Sequence, residues 1–187
     1  MELKKYKLGS LISLLKNGAV IQQKKGAKGI PITRIETLSN NEFNRDRLGY
    51  ADITEISDFE DFILDDGDIL ISHINSREFL GRAVQYKKRE GEFIIHGMNL
   101  LRLKTIPHLL NCTYAYYFFQ TSLWKKSIQS IRKDAINQSS IAISDIKNLI
   151  FDFPSLDTQN KIANALSLID RKIALNREIN RNLPLEA

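Results

Sequence analysis

Short apolar runs separated by polar breaks fill the first part of the chain, to about Leu103. The runs have the length of ordinary β-strands, and glycines mark the turns between them. This pattern predicts a compact, mostly β unit. Its predicted strands are Ile30–Ile35, Asp68–Ser72, Leu80–Tyr86, Phe93–His96 and Met98–Leu103.

The spacing of apolar residues changes after these strands. Pro107 is suited to the first turn of a helix, and apolar residues recur at helical spacing over Leu109–Leu123. We interpret them as the core-facing side of one or two helices. A polar loop follows, and Ile146–Phe153 is then predicted to be a short strand that Pro154 ends.

One long helix is predicted from about Thr158 to Asn182. Asp157 or Thr158 can cap its start, and Pro184 disfavours its continuation. Its apolar positions recur in steps of four and three, which is the heptad seam of a coiled coil. A helix of about 25 residues is about 40 Å long, so we expect a helical partner outside this domain. The seam residues are Ile162, Leu166, Ile169, Ile173, Asn176, Asn180 and Leu183.

Together these elements indicate an α+β fold. A compact, mostly β domain with packed helices is followed by a long C-terminal helix of coiled-coil type. We place the domain boundary at Pro154, so that residues 1–154 form the first domain and residues 155–187 the helix. A chain of 187 residues is long enough to bury the core of such a domain.

Charge and cysteine content narrow the class of protein. The chain has 27 lysines and arginines against 22 acidic residues, a formal charge of +5 and a pI near 9.3. This excess permits a polyanionic partner such as nucleic acid without requiring one. Cys112 is the only cysteine, which excludes an intrachain disulfide and fits a reducing cytoplasm. No signal peptide and no apolar run of about 20 residues is present, so we expect a cytoplasmic protein without a membrane span.

Sequence motifs for catalysis are missing. The chain contains no P-loop, no dinucleotide-binding glycine pattern, no nucleophile elbow and no zinc-ligand spacing. Asp65, Asp66 and Asp68 could hold Mg²⁺ in a nuclease or form an ordinary turn before a strand. We favour the turn, because the next strand lacks the Glu-x-Lys of a common restriction nuclease. The sequence therefore predicts no catalytic residue and no metal site.

Several polar loops carry side chains suited to DNA. Arginine reads guanine, asparagine and glutamine read adenine, and lysine and serine hold phosphates. One loop follows Ile69–Ile71, where Gly81 is expected to return the chain tightly and Arg82 to bind a phosphate. Such loops are usually just solvated, so they gain meaning only if the fold gathers them on one face. The candidates are Arg34, His73, Asn75, Ser76, Arg77, Arg82, Arg132, Lys133, Asn137, Gln138 and Ser139.

Ordered motifs also run through the whole chain. They are L-G-S-L from Leu8 with Gly18, G-I-P-I-T-R-I from Gly29, G-D-I-L-I-S-H-I-N-S from Gly67 with Gly81-Arg82, A-I-N-Q-S-S-I from Ala135, and F-P-S-L-D-T-Q-N-K-I-A from Phe153. Each motif is degenerate, but their order is specific. In these motifs the chain resembles the DNA-specificity subunits of type I restriction–modification systems. It looks like one target-recognition domain followed by one conserved spacer helix.

The resemblance implies a division of labour between subunits. Specificity subunits contain two recognition domains, each reading one half of a split double-stranded DNA site, and two antiparallel helices that set the spacing. They bind no cofactor and have no chemistry of their own. Modification subunits methylate adenine with S-adenosylmethionine, and restriction subunits use ATP, with Mg²⁺, to translocate DNA before cutting it.

The resemblance also suggests roles for individual residues. Asn75, Arg77 and the loop at residues 137–138 are expected to contact bases, and Arg132 and Lys133 to contact phosphates. The alternative is a protein-interaction module that dimerises through its helix without DNA specificity.

The sequence departs from the family pattern because it has one recognition domain and one helix and then ends at Ala187. It is either a fragment of a longer subunit, which the abrupt end favours, or a natural half-subunit that dimerises. In both cases we expect a second helix to pack against the seam. We therefore expect a homodimer, or pairing with a second recognition half.

Overall fold

The computed structural model describes residues 2–24, 29–39, 41–53, 55–136 and 138–182. Its helices are α1 (Cys112–Phe118), α2 (Ser122–Ser130), α3 (Ile143–Asn148) and α4 (Leu156–Asn182). Its strands are β1 (Leu3–Lys7), β2 (Ile12–Asn17), β3 (Gln23–Lys24), β4 (Ile30–Ile32), β5 (Leu38–Ser39), β6 (Glu42–Phe43), β7 (Gly49–Ala51), β8 (Ile69–Ser72), β9 (Ile74–Asn75), β10 (Ala83–Gln85), β11 (Leu100–Thr105), β12 (Lys133–Asp134), β13 (Ser139–Ser140) and β14 (Ile150–Pro154). Within these residues, no helix combines the length and apolar character needed to cross a bilayer.

A four-stranded antiparallel sheet, in the order β10–β8–β11–β2, lies at the centre of the fold. Every residue of β8 is buried. Because successive side chains of a strand point to opposite faces, Ile69 and Ile71 join the cluster of Trp124, whereas Leu70 joins that of Tyr86. The apolar run is continuous because both faces of the sheet are covered.

Helices α1 and α2 cover one face of this sheet. Asn111 and Thr121 cap them, since each side chain accepts a backbone N–H of the first turn. Trp124 donates its indole N–H to the carbonyl of Gly81 at 2.7 Å. Gly81 has φ +73°, and a Cβ there would lie 2.7 Å from Ile128. Glycine is therefore needed for the tight return that the sequence predicted.

Several predicted boundaries were wrong. Pro107 lies in a turn, because Asn111 caps the helix and α1 begins only at Cys112. The predicted strand Ile146–Phe153 contains the end of α3 and then β14, which pairs with β1. Apolar spacing alone does not separate a short buried helix from a strand. The range Phe93–His96 makes isolated β-bridges instead of a strand.

The long C-terminal helix is present as α4, and the predicted fold class is confirmed. The helix begins at Leu156, because the hydroxyl of Ser155 accepts the backbone N–H of Thr158 at 3.4 Å. The cap is therefore Ser155 instead of the predicted residues. Gln159 and Ala163 are each 2% exposed and anchor the start of α4 on the β-rich part. The division into domains at residue 154 stays a prediction.

Candidate nucleic-acid interface

A small three-stranded sheet brings together two loops that lie far apart in the sequence. Strand β9 pairs with β13, and β13 pairs with β12. Asn75 thereby lies opposite Ser139, and Ile74 opposite Ser140. The loop after β8 (residues 72–82, the strand-end loop) therefore lies beside residues 133–136 and 138–140, which we name the β12–β13 hairpin.

Asp134 joins the strand-end loop to this hairpin. Its carboxylate lies 2.9 Å from the guanidinium of Arg77 and 2.7 Å from that of Arg132. It also accepts the hydroxyl hydrogen of Ser139 at 2.6 Å. The Ser139 hydroxyl and, after it, the Arg132 guanidinium lower the pKa of Asp134. The resulting charge holds the two arginines side by side.

A groove of about 440 Å³ lies between the strand-end loop and the segment around residues 35–47, and its walls include Arg47 and Arg82. The Arg82 guanidinium lies 4.4 Å from the ring centre of Phe79 and donates to the carbonyl of Leu38 at 3.2 Å. A guanidinium has five N–H donors, so this hydrogen bond leaves Arg82 donors for a ligand. Two arginines beside hydrogen-bonding groups suit a ligand with acidic and polar edges.

Some candidate side chains support the loop from within. The side-chain oxygen of Asn75 accepts the backbone N–H of Ser76 at 2.8 Å, and its nitrogen donates to the hydroxyl of Ser72 at 3.1 Å. The amide keeps one further donor and one lone pair for another partner. His73 and Ser139 are 7% and 4% exposed. These two side chains therefore lie beneath the surface instead of on it.

The remaining candidates lie around the same surface. Arg34 precedes the turn that forms the far wall of the groove, and its guanidinium lies 3.6 Å from Glu36. The ammonium of Lys133 lies 3.5 Å from Asp145, and Asn137 lies outside the described residues. Which residues touch bases and which touch phosphates stays a prediction. The candidates exposed on the loop and hairpin are Ser76, Arg77, Lys133 and Gln138.

Sequence reasoning missed two features of this surface. The role of Asp134 in joining the strand-end loop to the β12–β13 hairpin was not predicted. In the sequence it is an ordinary solvent-exposed acid, and its neighbours become clear only from the pairing of β9 with β13. Ile136 was missed although it is fully exposed in the hairpin. An apolar residue inside an otherwise polar loop was the signal that could have identified it.

The acidic cluster forms a turn, as the sequence indicated. Asp68 accepts the backbone N–H of Asp65 at 2.8 Å and the guanidinium of Arg102 at 2.6 Å. Both side chains of this ion pair are nearly inaccessible, at 2% for Asp68 and 4% for Arg102. Lys104 pairs with Asp65 and lowers its pKa. Across the described part of the chain, no three acidic, histidine or cysteine side chains are arranged to hold a metal ion.

The seam of α4 is open to solvent over most of its length. Ile162 and Leu166 are partly buried, but every residue from Leu168 to Arg181 is exposed. Beyond Leu166, therefore, no described residue of this domain buries the seam. The exposed seam residues are Ile169, Ile173, Asn176 and Asn180, and Leu183 lies outside the described residues.

Residues 1–185 match the family described as type I restriction modification DNA specificity domain. The chain belongs to this family. Two curated specificity subunits are similar to this chain. The chain is 37% identical, over 173 residues, to a putative type I restriction enzyme MjaX specificity subunit of Methanocaldococcus jannaschii, covering 92% of this chain and 40% of that protein. It is 25% identical, over 160 residues, to the type I restriction enzyme EcoKI specificity subunit of Escherichia coli, covering 85% and 34%. The chain thus spans less than half the length of either relative.

The specificity-domain fold also recurs in solved structures. The S subunit of a type I restriction–modification system from M. genitalium superposes with a TM-score of 0.65 at 21% identity, over 97% of this chain and 43% of that one. The HsdS subunit from Thermoanaerobacter tengcongensis gives 0.61 at 14% identity, over 95% and 39%. At these identities the matches show the shared fold alone.

Proposed function

We propose that this specificity-domain chain recognises one half of a bipartite double-stranded DNA site and has no chemistry of its own. The pairing of β9 with β13 carries the proposal, because it puts Arg77 beside the hairpin that holds Gln138. Arginine and glutamine match the edges of guanine and adenine, and a two-stranded ribbon fits the major groove. Family membership supports the same role, since both curated relatives are specificity subunits of type I restriction enzymes.

Each part of the surface has a role in this proposal. Asn75, Arg77 and the loop at residues 137–138 read base edges, while Arg132 and Lys133 hold phosphates. The groove beside Arg82 receives the neighbouring part of the DNA backbone. Each phosphate contact adds about 0.9 to the slope of log affinity against log salt, so the phosphate contacts can be counted in solution.

The open seam of α4 supports a second recognition half as a partner. A second spacer helix would cover Ile169 and Ile173, and the asparagines at Asn176 and Asn180 would select its register. The second helix comes from another copy of this chain or from a longer protein. A monomeric mass at micromolar concentration would count against the homodimer.

The proposed role also assigns chemistry to other subunits in the cytoplasm. Modification subunits would methylate adenine with S-adenosylmethionine, and restriction subunits would use ATP and Mg²⁺. This chain would direct both to the DNA site.

A methylation assay tests the proposal. The chain is co-expressed with the modification subunit encoded beside it, and plasmid DNA is sequenced for methyladenine. A bipartite, palindromic methylated motif is expected when two copies act together. If a soluble complex methylates nothing, a second recognition half is added. Failure of that complex as well would contradict the proposed role.

The competing hypothesis is a protein-interaction module, and the exposed seam of α4 is the observation that favours it. It is less well supported, because it leaves the gathered polar loops without a role. DNA binding that is absent, or insensitive to salt, would favour it.

A further inference from the structure

A short hairpin connects the long helix to the groove. It consists of β5 (Leu38–Ser39) and β6 (Glu42–Phe43) with Asn41 between them, and we name these described residues the bridging hairpin. On the groove side, the carbonyl of Leu38 accepts the guanidinium of Arg82 at 3.2 Å. On the helix side, Glu42 lies 3.0 Å from Arg177 of α4. The bridging hairpin therefore contacts both the candidate interface and the spacer helix.

Helix α1 adds two hydrogen bonds at this place. Tyr116 donates its hydroxyl to the carbonyl of Asn41, in the bridging hairpin, at 2.9 Å. Tyr117 donates its hydroxyl to Asp170 of α4 at 2.6 Å. A cavity of about 300 Å³ lies among the hairpin, α1 and α4. These polar contacts therefore span a gap and are not parts of a packed interface. We call the contacts Glu42–Arg177, Tyr116–Asn41 and Tyr117–Asp170 the struts.

The residues of α4 that meet the rest of the domain lie along one face of the helix. At 3.6 residues per turn, Gln159, Ala163, Asp170 and Arg177 fall within about 40° of one another around the axis. The first two are buried, whereas the last two are exposed and make polar contacts with the domain, at Tyr117 and Glu42. Packing thus anchors the base of α4, and the struts support its outer half.

We propose that the bridging hairpin sets the angle between α4 and the recognition groove, with Glu42, Arg177, Tyr117 and Asp170 as positioning residues. This inference rests on the proposed function. α4 has 27 residues, so it is about 40 Å long, and a tilt of about 10° at its base moves its far end by about 7 Å. The second recognition half would be carried along this helix. A shift of that size is about two base pairs at about 3.4 Å each, enough to change the spacing between half-sites.

A distance measurement by pulsed electron paramagnetic resonance tests the struts. Spin labels are placed at Glu90→Cys, on the domain, and Glu178→Cys, on α4, in a Cys112→Ser background, and labelled protein is diluted with unlabelled protein. Glu42→Arg and Arg177→Glu are each expected to shift or broaden the distance distribution. The double variant with both charges exchanged is expected to restore it.

A charge reversal within α4 provides the matched control. Lys161 pairs with Asp157 of the same helix at 2.6 Å, so Lys161→Glu should leave the distance unchanged. Tyr117→Phe removes only a hydroxyl and should broaden the distribution. Single charge variants that match the unsubstituted chain would overturn the proposal, because packing at Gln159 and Ala163 would then suffice. A double variant as perturbed as the single variants would also overturn it.

The effect on the spacing between half-sites is measured from the DNA that the complex of this chain with the modification subunit methylates. The Glu42→Arg variant should keep the half-site bases but lose methylation at the original spacing, and the exchanged pair should regain it. A shifted distance with unchanged spacing and rate would overturn the link to half-site spacing. If neither the variants nor the unsubstituted chain methylates a motif, even after a second recognition half is added, the proposed function fails, while the distance measurement still decides whether the struts set the angle.

Discussion

The guanidinium of Arg77 lies 2.9 Å from the carboxylate of Asp134, and this ion pair ties the strand-end loop to the β12–β13 hairpin. Arg132 shares the same carboxylate. Two positive charges are thus held where we place the DNA, next to an acid that competes with phosphate for them. Asp134 is therefore expected to weaken non-specific binding and to hold Arg77 in its reading position.

Replacing Asp134 by asparagine should change affinity and specificity in opposite directions. Asp134→Asn should bind unrelated DNA more tightly, with a salt slope steeper by about 1 to 2, because Arg77 and Arg132 become available to phosphates. The ratio of cognate to unrelated affinity should fall. Fluorescence anisotropy titrations at several salt concentrations measure both. Asp152→Asn, on β14, changes the net charge equally and serves as control, and equal tightening by both variants would contradict the role of Asp134.

Removing Arg77 should separate base reading from phosphate binding. Arg77→Ala is expected to cost about 1–3 kcal/mol on the cognate site and little on unrelated DNA. Lys133→Ala should weaken binding to both DNAs about equally and lower the salt slope by about 1. The same titrations measure both variants. An equal loss for Arg77→Ala on the two DNAs would move Arg77 to the phosphate class.

The elements of the fold and of the candidate interface differed in how well the sequence predicted them. Strand β8 was predictable because both of its faces are buried, so Ile69–Ile71 forms an unbroken apolar run. The exposed face of α4 was predictable from its heptad spacing. The joining of the two loops was not, because β9 and β13 have two residues each, too few for any periodicity. The burial of His73 was not predicted either, because it depends on which residues pack over the loop.

The buried pair of Asp68 and Arg102 should matter more for stability than the rest of the acidic turn. Asp68→Asn removes the buried counter-charge of Arg102 and leaves the exposed carboxylate of Asp65, at 3.0 Å, as a remaining partner. Losing one partner of a buried pair costs up to about 3–5 kcal/mol. Asp66→Asn is the matched control, because Asp66 accepts only an exposed backbone N–H of Lys88 at 2.9 Å among its hydrogen bonds within the described residues, which contributes about 1 kcal/mol. Urea unfolding measures both. Similar losses for the two variants would contradict the importance of the buried pair.

His96 should make the protein less stable in mild acid. Burial lowers its pKa to about 3, whereas an unfolded histidine has a pKa of about 6.5. Between these values the unfolded chain binds the extra proton, so stability is full above about pH 6.5 and falls as the pH drops toward about 3. Burial lowers the pKa of His73 as well, and its effect has the same sign.

A substitution that cannot titrate tests this pH dependence. His96→Gln keeps a donor for the carbonyl of Leu100, which lies 2.8 Å from Nε2 of His96. Urea unfolding from about pH 7.5 to about pH 4.5 should give a shallower decline for the variant. His108→Gln, the same substitution at an exposed position, is the control. Parallel curves for the unsubstituted chain and His96→Gln would rule out His96 as the source.

Ile136 is the last residue whose position suggests a specific test. Its side chain is fully exposed in the hairpin, next to the proposed base-reading loop. An apolar side chain there is suited to the methyl group of thymine in the major groove. Once methyladenine mapping has given the DNA motif, Ile136→Ala can be combined with replacement of each thymine by deoxyuridine, which lacks that methyl. At one position the two losses should not add, because both remove the same contact. Ile150→Ala, the same substitution at another exposed position, on β14, should add its loss to every replacement. Full additivity for Ile136→Ala would show that Ile136 touches no thymine methyl.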